Sequence, residues 1–311
     1  MRTFGVAVIA SLSTTVVHAQ KAHVPQIKDF TLAWADDFVG RRGTLPDPRT
    51  WIVDVGTRYA YPNGPPNWGT WEQQTYTNSP NNLNVTGEGT LRITALKSTA
   101  GAWTSARIES RQTFMARPGK KMRIQASLKL PSLGSQGVGY WAAFWTLGAD
   151  YRGNYWYVQR IYNQDRNWPE VGEIDIVENV NSLNRLWWVL HCGTQPGGVC
   201  NEPSGLGNSK ACPAFAPCPG VFRTYAIEID RSKSTEALRW YVDGALVHTV
   251  SQTQLPASVW KQTVQKPHFI LLNLAIGGNF PDAIYGSKTP LPNTASGGTL
   301  EAQYIAVYNS R

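Results

Sequence analysis

Met122-Arg123-Ile124-Gln125-Ala126-Ser127-Leu128-Lys129-Leu130 alternates without a fault, apolar at every even position and polar at every odd one. Successive side chains of a strand point to opposite faces, so this stretch predicts a strand with one covered face and one polar face. The reading extends outwards. Leu238-Arg239-Trp240-Tyr241-Val242 and Ala245-Leu246-Val247 flank Asp243-Gly244, a turn pair that tolerates positive φ and predicts a hairpin. Phe269 to Ile276 is an almost unbroken apolar run, as in a strand covered on both faces. Leu300, Ala302, Tyr304, Ala306 and Tyr308 alternate again, which predicts a single face. No stretch shows the apolar stripe and caps of an amphipathic helix. Many short strands between Gly, Pro and Asn turns predict an all-β sandwich or barrel.

Composition narrows the class. The chain has 311 residues, of which 16% are charged and 42% hydrophobic. That charge content lies below the ~25% usual for soluble domains, and the apolar content excludes a disordered chain. The 13 Trp and 13 Tyr exceed ordinary use; aromatics in a charge-poor protein fill cores and line sugar-binding surfaces. The net charge of +8 is scattered, with Arg41-Arg42 and Lys120-Lys121 as isolated pairs, so no nucleic-acid partner is expected. Residues 1–19 read as a secretory signal: Arg2, an apolar run from Phe4 to Leu12, and Val17-His18-Ala19 before the cut. The run is too short, and too broken by Ser11, Ser13, Thr14 and Thr15, to span a bilayer, so no membrane partner is expected. Residues 20–311 carry no repeat or low-complexity linker and are read as one domain of a secreted, extracellular monomer.

In an exported chain, Cys192, Cys200, Cys212 and Cys218 predict two disulfides with three pairings open. The sequential pairs Cys192–Cys200 and Cys212–Cys218 are favoured because they close short loops; no C-x-x-C pair argues for zinc. They staple a Gly- and Pro-rich stretch, Gly193 to Gly220, which reads as irregular. Gly64-Pro65-Pro66 marks a second long loop, and Asn84-Val85-Thr86 is the one glycosylation sequon.

Gly172-Glu173-Ile174-Asp175-Ile176-Val177-Glu178 carries the chemistry. Three carboxylates inside a β-branched run are costly to hold in a sheet unless paired or functional. Glu173 and Asp175 share a strand face, while Glu178 points away unless one extra residue, a β-bulge, returns it. With the bulge absorbed, Glu173 and Glu178 stand roughly 13 Å apart at Cα, and side chains leaning inward bring the carboxyls to about 5–7 Å. That range includes the ~5–5.5 Å of double-displacement glycoside cleavage and overlaps the inverting range.

Glu173-Ile-Asp-Ile-Val-Glu178 resembles the E-x-D-x-x-E signature of glycoside hydrolase family 16, in its laminarinase-like branch. Trp34-Ala-Asp-Asp-Phe38, Trp103-Thr-Ser-Ala-Arg-Ile108, Tyr140-Trp-Ala-Ala-Phe-Trp145, Asn167-Trp-Pro169 and Asn273-Leu-Ala-Ile-Gly-Gly-Asn279 are similar to that branch in the same order. The resemblance implies a concanavalin-like β-jelly roll with a concave substrate cleft and retaining endo-hydrolysis of β-1,3 (or β-1,3/1,4) glucans. It implies Glu173 as nucleophile, Glu178 as acid/base and Asp175 between them, tuning both. The chemistry agrees, since one carboxyl must be ionised and the other protonated, and crowded like charges push pKa values apart.

Trp168 fits a stacking platform for the apolar face of a sugar ring, and Trp145 is a second candidate for the cleft. His191 matches a histidine of the branch that reaches sugar or a catalytic carboxyl. Arg107 reaches substrate hydroxyls or pairs with Glu109. No cofactor and no metal in the active site are implied. Many members hold a structural Ca²⁺ with an Asp where Gln303 stands here, and losing that carboxylate weakens a hard-cation site. Phe280 replaces a Trp common in the branch. The machinery equally serves another β-linked polysaccharide such as β-1,3-galactan, or transglycosylation. A non-catalytic glucan-binding protein has no need of the triple carboxylate.

Overall fold

The computed structural model describes residues 24–59, 65–152 and 168–311. The leader expected at residues 1–19 lies outside them, as do Gly64 and Asn167. In chain order the strands are β1 (Phe30–Asp36), β2 (Trp51–Asp54), β3 (Gln74–Tyr76), β4 (Leu83–Val85), β5 (Leu91–Thr94) and β6 (Leu96–Lys97), then β7 (Trp103–Ser105), β8 (Arg107–Ser110), β9 (Lys121–Lys129), β10 (Tyr140–Gly148), β11 (Glu173–Val180) and β12 (Arg185–His191). They continue as β13 (Leu206–Ala211), β14 (Phe222–Asp230), β15 (Ala237–Val242), β16 (Ala245–Ser251), β17 (His268–Ile276) and β18 (Thr299–Ser310). One sheet runs β16-β15-β14-β9-β18-β5-β4, with β1 also on β18; a seven-stranded sheet runs β13-β12-β11-β10-β17-β8-β2. All pairings within both are antiparallel, and a small third sheet joins β3, β7 and β6. The two large sheets form a sandwich around one apolar core, as a jelly roll does.

β9 faces as its strict alternation requires. Met122, Ile124, Ala126 and Leu128 of β9 are at most 2% exposed and enter the core, while Arg123, Gln125 and Ser127 take the other face. Asp243 and Gly244 join β15 to β16 with φ of 48° and 78°, the two positive values a tight hairpin turn of this kind needs. β17 is buried along its whole length between β10 and β8.

Three expectations need correction. The alternation from Leu300 to Tyr308 does not lie on one face. The register of β18 against β9 slips between Ala302 and Tyr304, so Leu300 and Ala302 enter the main core while Tyr304, Ala306 and Tyr308 pack on the other face. One extra residue reverses the parity of all that follow. Gly193 to Gly220 is not wholly irregular either, since β13 lies within it. Its Leu-Gly-Asn-Ser-Lys-Ala sequence forms an edge strand with no apolar period to announce it. Two α-helices also occur among the described residues, α1 (Ala257–Thr263) and α2 (Asn279–Tyr285), each of seven residues, too short for a helical period to stand out. Both disulfides join the sequential pairs, Cys192–Cys200 and Cys212–Cys218. Among the described residues no helix is long and apolar enough to cross a membrane.

His268 opens β17 and is fully enclosed. Its Nε2–H donates to the Thr263 carbonyl at 2.7 Å, and Nδ1 accepts from Thr146 Oγ1 at 3.1 Å, a set that suits the neutral ring. Burial lowers its pKa from 6.5 to about 4. The unfolded chain therefore takes up the proton first, and stability present above pH 6.5 is lost as pH falls towards 4, by about 3 kcal/mol. Urea midpoints should fall over that window and fall less in His268→Gln; parallel falls in the two proteins would contradict the assignment.

Candidate active site

The outer face of the seven-stranded sheet collects the candidate residues because its registers place them on one face, on neighbouring rungs. Asp54 pairs with Arg107, Arg107 with Asn273, Trp145 with Asp175, Glu173 with His191, and Glu178 with Trp187. β11 carries the expected bulge. Against β10, Phe144 pairs with Val177 and Trp145 with Asp175, skipping Ile176; against β12, Asp175 pairs with Val189 and Glu178 with Trp187. Ile176 and Val177 both enter the core, at 2% and 1% exposure, and the parity of Glu178 is restored to that of Glu173 and Asp175. The Asp175 carbonyl at the bulge accepts a hydrogen bond from Trp240 Nε1 of the facing sheet, 2.8 Å away.

Crowding three carboxyls on a recessed face sets their electrostatics. Burial and then the Asp175 charge push Glu173 up to about 8, against the opposing effects of His191 and a hydrogen bond from Trp168. Burial and Asp175 also push Glu178 well above the usual carboxylate range, opposed chiefly by the Trp141 indole, whose Nε1 donates to Glu178 Oε1 at 2.9 Å. The His191 charge opposes both shifts and each carboxyl has an indole donor, but the ring stands closer to Glu173, with Nε2 4.0 Å from its Oε1. A cation favours the ionised form, so Glu173 is the better placed to carry charge and Glu178 to carry a proton.

His191 is a hub. Its Nδ1–H donates to Glu202 Oε2 at 2.7 Å, and Nε2 lies 3.4 Å from Asp175 Oδ2. Burial disfavours the charged ring, but the carboxylates of Asp175 and Glu202 against it more than offset that, so its pKa stands well above 6.5. Donor atoms of Glu173, Asp175 and His191 lie within 4.8 Å of one another, close enough to hold a cation. At the position expected for a calcium carboxylate, Gln303 Oε1 accepts from Ser127 Oγ at 2.7 Å.

Trp168 is half-buried, its ring 5.4 Å from that of His191, beside the Glu173 end of the row. Trp145 is half-buried and anchored by Nε1 to Asn273 Oδ1 at 2.7 Å, with Asn273 Nδ2 donating to the Tyr76 hydroxyl at 3.1 Å. Trp141 and Trp187 both meet Phe280 edge-on, at 5.7 and 5.5 Å, forming an aromatic border at the Glu178 end. Arg107 sits differently from the other candidates. It is 4% exposed, with Nε 3.0 Å from Asp54 Oδ2, Nη2 3.8 Å from Glu109 Oε1, and Tyr59, Trp68 and Trp145 rings around its guanidinium. Of its two expected roles, the geometry displays the pairing with Glu109, extended to Asp54.

Sequence reasoning passed over Trp141 as a partner of Glu178, Asn273 as the anchor of Trp145, and Glu202 altogether. The first two lie inside blocks that were singled out, so only their facing was missed. Glu202 sits between cysteines in a Gly- and Pro-rich stretch and offers no local signal.

No family model matches the chain. The crystal structure of the endo-1,3-β-glucanase from Streptomyces sioyaensis is 41% identical, superposes with a TM-score of 0.85, and covers 93% of this chain and 99% of its own. A β-glucanase of Rhodothermus marinus is 28% identical over 290 residues, 89% of this chain and 84% of the relative. Glucan endo-1,3-β-glucosidase A1 of Niallia circulans is 27% identical over 309 residues, 92% of this chain; the chain spans 39% of that longer protein.

Proposed function

The chain belongs to the laminarinase-like endo-1,3-β-glucanases of glycoside hydrolase family 16, and we propose that it acts as a secreted, monomeric retaining endo-β-1,3-glucanase. The observation that carries this reading is the bulge in β11, which returns Glu178 to the buried face of Glu173 and Asp175. Glu173 attacks the anomeric carbon as the bond to the leaving oxygen breaks, and Glu178 gives that oxygen its proton. Glu178, now a carboxylate, takes a proton from water, whose oxygen displaces Glu173 and releases the sugar. Asp175 lies between the two, and its charge makes each harder to ionise. Trp168 and Trp145 offer apolar surfaces to the sugar rings, and the reaction draws on no cofactor. The leader at residues 1–19 and the two disulfides support export, with a mature chain beginning at Gln20.

Product analysis on laminarin, mixed-linkage β-glucan and β-1,3-galactan tests the substrate, and proton NMR of the first products tests the stereochemistry. A ladder of short oligosaccharides from laminarin, released as the β-anomer, is expected; the mixed-linkage glucan then reports breadth. Cleavage of the galactan alone would leave the chemistry standing and remove the substrate, and an α-anomer would remove the double displacement. The pH profile follows from the site. Activity requires ionised Glu173, whose pKa is raised from 4.5 to about 8 by burial and Asp175, so the acidic limb of kcat/KM should lie well above pH 4.5. A limb at 4.5 would contradict the raised pKa.

A further inference from the structure

We propose that Glu202 is a positioning residue for the reaction, held two residues beyond the Cys192–Cys200 disulfide so that it fixes the His191 ring between Asp175 and Glu173. The proposal rests on the reading of Glu173 as nucleophile and goes beyond it. Glu202 lies outside both large sheets, 11 residues after His191, yet its side chain is fully buried. A carboxylate is costly to bury without partners, and each of its oxygens has one. Oε2 accepts from His191 Nδ1 at 2.7 Å and Oε1 accepts from the Cys192 backbone N–H at 2.8 Å.

The loop is built to hold that side chain. The disulfide closes residues 192–200, and Glu202, just beyond it, exchanges backbone hydrogen bonds of 2.6 and 2.7 Å with Gly197 inside it. Gly198 has a φ of +65°, and a Cβ there would stand 2.4 Å from the Thr194 carbonyl oxygen. Beyond Glu202 the chain packs against the ring: a Cβ at Gly205 would lie 2.9 Å from His191 Nδ1.

A carboxylate can only accept, so Glu202 keeps a proton on Nδ1 and turns Nε2 towards the catalytic row. There Nε2 meets Asp175 Oδ2 at 3.4 Å and Glu173 Oε1 at 4.0 Å. Apart from this ion pair, Asp175 Oδ2 is buried without a hydrogen-bond partner among the described residues. Among the described residues, the charged groups facing the ring are Glu173 and Asp175 from β11 and Glu202 beyond the disulfide; Trp168 faces it as a neutral ring, and the adjoining end of β13 brings the apolar Leu206. With a second proton the ring is a cation between the nucleophile and its acidic neighbour, and it lowers the cost of ionising Glu173.

The test is the pH profile of Glu202→Gln on laminarin. Without the Glu202 charge His191 loses its proton at lower pH, and Glu173 must ionise beside Asp175 alone. Removing Glu202 also removes a negative charge, an opposing effect, but His191 stands between Glu202 and Glu173 and its loss dominates. The acidic limb of kcat/KM should move up by about one pH unit, an about tenfold loss below the limb that narrows above it. In a His191→Asn background the same substitution should give no further upward movement, because only the direct effect of the lost negative charge, which is downward, remains. A uniform loss at every pH with an unmoved limb would make Glu202 a structural prop and overturn the proposal, as would a profile within twofold of the parent throughout. Should Glu202→Gln fail to fold, the ¹⁵N resonances of His191 in the parent enzyme decide: an imidazolium at pH 7.5 supports the proposal and a neutral ring refutes it. Full activity in Glu173→Gln would instead remove the reading beneath, a separate measurement.

Discussion

Glu173→Gln will lower kcat on laminarin by about 10⁴-fold or more, while laminarin binding stays within a few-fold of the parent enzyme. The amide keeps the size and the hydrogen-bonding reach of the carboxyl, so the hydrogen bond from Trp168 has an acceptor still. What it removes is the nucleophile, for which no neighbour substitutes: Asp175 is 4% exposed and Glu178 is bound to the Trp141 indole. Glu178→Gln should differ in kind. It removes the proton donor, a loss of about 10²–10⁴-fold on a polysaccharide whose leaving oxygen needs protonation. On an aryl glucoside with a good leaving group, the first step should be largely restored and the second left slow. Fluorescence titration of the cleft tryptophans gives binding, and reducing-sugar release gives turnover. Unchanged turnover in Glu173→Gln would sink the catalytic assignment, and equal restoration of both variants on the aryl substrate would sink the division of roles.

Both the sheet and the carboxylate row were legible in the sequence wherever a side chain's facing followed from local order. β9 and the β15–β16 hairpin obey simple period and turn chemistry. The bulge in β11 was legible for a different reason: Glu178 is so expensive in the core that only a restored parity makes the segment foldable. β18 shows the limit of this reasoning. Its alternating residues are all apolar or aromatic, acceptable on either face, so nothing in the pattern marks the slip at Gln303. Glu202 shows another limit. Its role depends on a loop folding back onto the preceding strand, and such contacts have no period to read. Arg107 lay in a recognised block, but which carboxylate it would meet was set by the β2–β8 register, which brings Asp54 opposite it.

Replacing that arginine is the second large effect expected, and it falls on stability. In Arg107→Met, Asp54 loses its 3.0 Å partner and Glu109 loses the Arg107 guanidinium while keeping that of Arg152, whose Nε lies 2.9 Å from Oε2. Burial and the Glu109 charge already push Asp54 well above the usual range, whereas Arg152 and Arg107 hold Glu109 below it despite its burial. The network thus keeps Glu109 ionised at 1% exposure by concentrating positive charge on it. Breaking one partner of a buried ionic network costs about 3–5 kcal/mol, because the remaining charge stays out of water. The stacking of the guanidinium on Tyr59, Trp68 and Trp145 at 4.5–5.1 Å is lost as well. Calorimetry should show a melting temperature lower by roughly 5–10 °C. At a temperature where the variant is still folded, KM for laminarin should change little. The contrary pattern, a parent-like melting temperature with a KM raised tenfold or more, would make Arg107 a ligand of the substrate rather than the strut beneath Trp145.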